Sequence, residues 1–531
     1  MGRAALAFAV CAALLGGGCT RVGTGGAHNP WTVPGTLRIA TRQNPENLNS
    51  LLGTQDVDEA IAAFWGAFLF RWSDRNELVP ELATVVPSVA NGGISADGLT
   101  ITYHLRPGVK WQDGVPFTSR DVVFTWKAIM NPGNAVVSRH TYDVVAGIDR
   151  RDDTTFTVHL KRRFAPFVVQ FFGPSNPPSI ILPEHLLGRL PNFNRAEYNN
   201  RPIGTGPFRI VSYENGQRLV MAANDGYWRG PPKLRRIEFL FVPNDNTMLT
   251  MLETHQIDFY FRASETLIAS LRGIPGTKLM LTPRDRFTDV GLNAGNPALA
   301  DVRVRRALAY AIDRRALIEK VMHGVALEGW SNHAPFSNVY TAGVERYPYD
   351  PARANALLDR ARIARPLHLT LVSFTGSTTV AAAEALVQQQ WAKVGVDAAI
   401  KNFPSGQLYA TLGMGGIEQS GKFDAVIENW SNGADPDDSV LLMCSMAPPA
   451  GWNIYHFCDP RLDAAERVAL ESIDSRQRRT AFAAIQRIVS EQLPFIVLWY
   501  EVQVDAVNSD LRGYRPSHSI APFWNVWEWS I

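Results

Sequence analysis

Residues 96–126 read Ala96-Asp97-Gly98-Leu99-Thr100-Ile101-Thr102-Tyr103-His104-Leu105-Arg106-Pro107-Gly108-Val109-Lys110-Trp111-Gln112-Asp113-Gly114-Val115-Pro116-Phe117-Thr118-Ser119-Arg120-Asp121-Val122-Val123-Phe124-Thr125-Trp126. Leu99–Leu105 is a short β-branched and aromatic run, which predicts a strand. Gly108 and Asp113-Gly114 supply turns on either side of Trp111. Pro116-Phe117 leads into Thr118 or Ser119 as an N-cap. Asp121 then falls in the first helical turn, where a negative charge is favoured.

Outward from this segment the same grammar recurs. Strand-like runs are Leu37–Thr41, Thr155–Leu160, Arg218–Ala222, Arg236–Val242, Leu367–Ser373, Val396–Asn402, Asp424–Trp430 and Phe495–Val504. Asp301 caps a helix over Val302–Lys320, with Val304, Leu308, Ala311 and Ile312 on one face. Thr379–Val394 reads as a helix stopped by Gly395, and Leu462–Gln492 carries two more helical segments. Strands alternating with helices predict α/β lobes with largely parallel sheets. Leu367–Ser373, helix, Val396–Asn402 and Asp424–Trp430 form a βαβ-type block. Open α/β sheets bind ligands beyond the carboxyl ends of their strands. That rule selects the loops Phe374–Thr378 and Ser431–Ser439, the second holding Asn432, Gly433 and Asp435 directly after Trp430.

Composition narrows the function. Lys+Arg number 52 against 50 Asp+Glu, a formal net charge of +2, so no basic patch points to nucleic acid. Hydrophobic residues are 46% of the chain, enough for a real core. Arg3 followed by the apolar run Ala4–Leu15 reads as a secretory signal, too short to span a membrane. Small residues before Cys19 mark it as a lipidation site, and the Gly-, Thr- and Pro-rich stretch to Pro34 as a tether. With Cys11 in the signal and Cys19 lipidated, Cys444 and Cys458 remain. An even pair in an oxidising compartment favours a disulfide over zinc, since no CxxC-type spacing is present. No G-x-S-x-G elbow or H-E-x-x-H helix occurs, and the adjacent Asp437 and Asp438 cannot flank a glycosidic bond. No catalytic residue, cofactor or metal site is expected.

The opening segment resembles the hallmark of the family 5 extracellular solute-binding proteins, the oligopeptide/dipeptide/nickel-binding type of bacterial ABC importers. Further markers follow in order: Gly204-Thr205-Gly206-Pro207-Phe208, Asp301-Val302-Arg303 through Asp313-Arg314, Trp391-Ala392-Lys393-Val394-Gly395-Val396, and Phe423-Asp424-Ala425 before Trp430. The resemblance implies a type II-like, two-lobed periplasmic-binding-protein fold with an extra subdomain and hinged lobes around a central cleft. The expected division is a signal peptide over 1–18 and a tether over 19–35. Lobe I would take 36–55, 195–285 and 500–531, its extra subdomain 56–194, and lobe II 286–499. The implied function is capture of a peptide or similar solute by hinge closure and its delivery to an ABC permease and ATPase. An uncharged solute such as an oligosaccharide, or a sensor role, is the alternative. The chain would be an exported, lipid-anchored monomer. Expected ligand contacts are Trp430, Asn432, Asp435, Phe374, Asn47 and Asn49. Dipeptide-type relatives carry an Asp after the Trp for the ligand amine; the matching position here is near Gly433. They also carry an Arg before the W-A-K-V-G-V helix for the ligand carboxylate, and Ser373–Thr378 contains none. Both anchors of a free dipeptide are therefore missing from their usual places.

Overall fold

The computed structural model describes residues 28–53, 55–174, 179–433, 435–518 and 522–531. The expected signal and Cys19 lie outside these residues. Thr118 caps the helix Ser119–Met130, and Asp121 accepts a hydrogen bond from the Thr118 N–H, so the opening segment folds as its residues dictate. Its strand, Thr100–His104, pairs antiparallel with Thr155–Leu160, and Val145–Arg150 completes a three-stranded sheet.

An eleven-stranded mixed sheet organises the remainder. At one end Leu367–Phe374 lies between Val396–Phe403 and Ala425–Ser431, parallel to both. This is the expected βαβ block, its helix running Thr378–Ala392. At the other end Thr36–Thr41 runs parallel to Arg236–Phe241 and Phe259–Ala263. The two halves are joined by long antiparallel strands, Thr277–Leu292 and Phe495–Asn508, with register shifts between Pro283 and Phe287 and between Thr288 and Asp289. The sheet is therefore mixed rather than largely parallel. The crossing strands leave and return side by side, which only an antiparallel pair can do without a crossover helix.

The apolar cores follow this division. One cluster runs from Leu37 to Phe261 and takes in Val507, Phe523 and Trp529; two others lie wholly between Phe287 and Tyr500. In the first, Arg71 and Glu81 form a buried ion pair at 2.8 Å. Glu81 also accepts from the Phe68 N–H, and Arg71 donates to the carbonyls of Ala63 and Phe523. In the second, Trp391 is fully buried and its indole N–H donates to the Leu308 carbonyl at 3.2 Å. Val304, Leu308, Ala311 and Ile312 are all buried, as their spacing demands. The helix carrying them is split, however, into Val302–Tyr310 and Arg314–Lys320, because Asp313 caps a new start by accepting from the Ala316 N–H. Gly204 and Gly206 pack directly on the backbone of Trp65 and Gly66; a Cβ on Gly204 would collide with the Trp65 carbonyl.

Cys444 and Cys458 are bonded, closing a loop with a sequence separation of 14. A loop of that length corresponds to about 3 kcal/mol in the chain-entropy model. Cys444→Ser/Cys458→Ser is expected to lose about that much in guanidinium unfolding. A reduced wild type should match the variant; equal stability of oxidised and reduced protein would contradict the expectation.

Candidate functional site

The crossing strands form the floor of an open cleft of about 520 Å³. One wall comes from Thr41–Gln43, Asp56, Asp245 and Phe261–Glu265. The other comes from Met322, Phe374, Gly376–Val380 and Asn429. Gly376 takes φ +96°, which frees the chain to turn into the helix Thr378–Ala392, and Ser377 caps that helix by accepting from the Val380 N–H. The helix N-terminus thus opens on the cleft. Across the mouth, the Thr379 hydroxyl donates to Glu265 Oε1 at 2.7 Å.

The floor is charged. Strand alternation sends Arg284 and Arg286 to the cleft face and Asp285 to the other. Arg262 joins them from a bulge between Tyr260 and Ala263, where it holds φ +55°. That left-handed backbone lets its N–H donate to Asp505 Oδ1 at 3.0 Å. Arg262 Nη1 donates to Asp56 Oδ2 at 2.5 Å. Arg286 Nη1 lies 3.7 Å from the same oxygen, its Nε 3.2 Å from Glu501 Oε1, and its Nη2 donates to Asn429. Arg284 Nη1 donates to Gln503 Oε1 at 3.0 Å. Burial alone would raise the Asp56 carboxyl, but the charges of Arg262, Arg284 and Arg286 outweigh it and hold it well below the carboxylate range. Glu59, one turn along the same helix, is buried and pushed well above that range by desolvation and by the Asp56 charge.

A second, much smaller pocket of about 50 Å³ lies on the opposite face of the crossing strand, lined by Trp72, Asn76, Asp285, Asn432, Pro436 and His518 among others. Burial pushes the Asp285 carboxyl up to about 6 against a hydrogen bond from Asn432. Under the far wall sit three buried acids. Asp289 and Glu428 face each other across the ladder, and Tyr455 donates to Glu428 at 2.7 Å. Glu418 is fully buried, neither of its carboxyl oxygens has a partner among the described residues, and desolvation followed by the Glu428 charge pushes it up to about 10. No group of three or more His, Cys, Asp or Glu among the described residues could hold a metal, and no described helix is long and apolar enough to cross a membrane.

Residues 77–450 match the family described as bacterial extracellular solute-binding proteins, family 5 Middle. The chain belongs to this family. Among relatives of this family 5 protein, the di/tripeptide-binding protein 2 of Pseudomonas aeruginosa is 27% identical over 91% of this chain and 93% of its own length. The glutathione-binding protein GsiB of Salmonella typhimurium is 29% identical over 79% and 81%. The fold is shared with the substrate-binding protein CtaP of Listeria monocytogenes (TM-score 0.83, 23% identity, 94% and 99% covered). It is shared also with NikZ of Campylobacter jejuni, solved with Ni(L-His) (TM-score 0.78, 23% identity, 94% and 100% covered).

The six residues expected at the ligand are dispersed in this family 5 protein. Phe374 lines the large cleft and Asn432 the smaller cavity; the other four line neither. Trp430 is half-buried against the core on the face of its strand opposite Asn429. Asp435, 2% exposed, is held bidentately by Arg478 at 2.6 and 2.8 Å, so its carboxylate is already neutralised. Asn49 donates to Asn199 at 3.0 Å, and Asn47 accepts from the Asn49 N–H: both shape a turn. The sequence reading missed Arg262, Arg284, Arg286, Asp56 and Glu501. The signal was present in Arg284-Asp285-Arg286, three consecutive charges at the expected lobe crossing.

Proposed function

We propose that this chain is the exported, non-catalytic receptor of an ABC importer, closing its two lobes on a peptide in the large cleft. The observation that carries the reading is a cleft whose two walls belong to different lobes and whose floor is the pair of crossing strands. Bending two strands moves the walls without breaking either core, as hinge closure requires. The crossings near 285 and 500 serve as the hinge, with the lobes divided at 36–55, 195–285 and 500–531 against 286–499. The relatives named for di/tripeptides and glutathione support a peptide as solute. Lipidation at Cys19, a monomeric state and a position at the outer face of the cytoplasmic membrane complete the proposal. Phe374, Asn429 and the Gly376–Val380 turn contact the ligand in this reading. Asn432 and Trp430 sense it through the strand that carries Asn429. Asp435, Asn47 and Asn49 hold the surrounding loops.

The test is calorimetry of ligand-stripped protein against di-, tri- and oligopeptides, with a sugar panel as control and small-angle scattering with and without the tightest binder. Peptide binding accompanied by a smaller radius of gyration is expected. Binding only to sugars, or unchanged dimensions with saturating peptide, would defeat the proposal.

A further inference from the structure

The cleft is lined by four arginines and four carboxylates, but its ion pairs leave one guanidinium out: Arg42 pairs with Asp245, and Glu265 accepts from Thr379. Three guanidiniums, Arg262, Arg284 and Arg286, face two carboxylates, Asp56 and Glu501. Asp56 is engaged by Arg262 and approached by Arg286, and Glu501 by Arg286. Glu59 is pushed well above the carboxylate range by its burial, against the opposing charges of Arg262 and Arg284. Asp505 is taken by the Arg262 N–H, Gln503 and Tyr514. Arg284 has no ion pair among the described residues. It is 5% exposed, lines the cleft, and makes one hydrogen bond, from Nη1 to Gln503. Its Nε and Nη2 have no partner among the described residues. Those two atoms form the side-on edge by which a guanidinium grips a carboxylate bidentately. The edge is covered in this structure, and rotating the side chain into the cleft that it lines presents it.

We infer that the cleft floor takes an anionic carboxylate of the solute and that Arg284 is the guanidinium it neutralises. The inference rests on the receptor reading and deepens it. A buried cation without a counterion is costly, and a ligand that supplies the counterion gains what the empty protein lacks. The capped N-terminus of Thr378–Ala392, opening on the same cleft, adds a second attraction for negative charge. The assignment also accounts for the absence of arginine from Ser373–Thr378: the positive charge lies on the floor rather than in that loop.

The carboxylate can be a peptide C-terminus or an acidic side chain, and calorimetry on ligand-stripped protein separates them. The probes are Ala-Ala-Ala, Ala-Glu-Ala-amide, Ala-Gln-Ala-amide and glutarate, each against wild type and Arg284→Met. At least one carboxylate-bearing probe should bind wild type tenfold or more tightly than Ala-Gln-Ala-amide, and Arg284→Met should abolish that preference. Preference for Ala-Ala-Ala assigns the C-terminus; preference for Ala-Glu-Ala-amide assigns the side chain. Glutarate binding that is lost in Arg284→Met, with no peptide bound, would keep this inference and remove the peptide reading. Equal binding of amide and acid by wild type, or a preference that survives in Arg284→Met, would overturn it. So would a co-purified native ligand that mass spectrometry shows to lack an acidic group. The ligand-free variant supplies an independent check: its Tm should equal or exceed that of wild type, because an unpaired buried charge has been removed. A fall of more than a few degrees would show that the protein itself already satisfies Arg284.

Discussion

Glu81→Ala is expected to cost about 3–5 kcal/mol, the range for breaking a buried ion pair from one side. The carboxylate is fully buried, and the Arg71 side chain is 3% exposed. With Glu81 gone, the guanidinium keeps its carbonyl partners at Ala63, Gly66 and Phe523 but loses its counterion. The Phe68 N–H is orphaned in the same step. Arg71 also lies 5.7 Å from the Trp527 ring, so it ties the C-terminal segment to the first lobe. The damage should therefore appear as lost protection of the C-terminal amides in hydrogen exchange as well as in the urea midpoint. The double variant Arg71→Met/Glu81→Leu should lose much less, since it buries no charge. A single variant as stable as wild type would mean that Arg71 reaches water.

Glu418 carries the second large effect. Its carboxyl is raised by burial and by the Glu428 charge, to about 10 against an unfolded value near 4.3. The folded chain therefore binds a proton there that the unfolded chain releases. Stability from this group is complete below the unfolded value and declines as pH rises towards 10. Between pH 6.5 and 8.5 the decline is up to about 3 kcal/mol for one full proton, at about 1.4 kcal/mol per unit. The buried His333, depressed by burial to about 3, opposes this decline only up to about pH 7.5, where the unfolded imidazole has lost its proton. Glu418→Gln keeps the neutral shape and removes the titration, so it should flatten the fall between the two pH values by roughly that amount. Parallel slopes for variant and wild type in denaturant unfolding would show that Glu418 is ionised in the folded chain.

The sequence revealed the lobes more readily than the floor between them. The capped helix at Thr118, the βαβ block and the Gly204 turn were legible because each rests on local chemistry: a hydroxyl cap, an alternation, a glycine forced by close backbone approach. The strand Thr277–Leu292 was not, because Lys278, Pro283, Arg284, Arg286 and Asp289 break its apolar alternation. Those interruptions follow from its position. A strand that lines a polar cleft on one side cannot carry an uninterrupted apolar pattern, so the residues that hid it are the ones that make the floor. Asp435 is the opposite case. An acidic loop residue after Trp430 reads as available, and only the fold brings Arg478, 43 positions away, against it.

The strand Phe495–Asn508 has a further meaning in time. It lies between Phe259–Ala263 and Thr277–Leu292, so both halves of the large sheet are built around it. It is also the last of the described strands in chain order. A growing chain can form the three-stranded sheet near Thr100 early, yet neither lobe has its central strand until residue 495 and beyond have been made. Contacts spanning so much sequence form slowly, so the nascent polypeptide remains open, and threadable through a narrow channel, until this strand has been made.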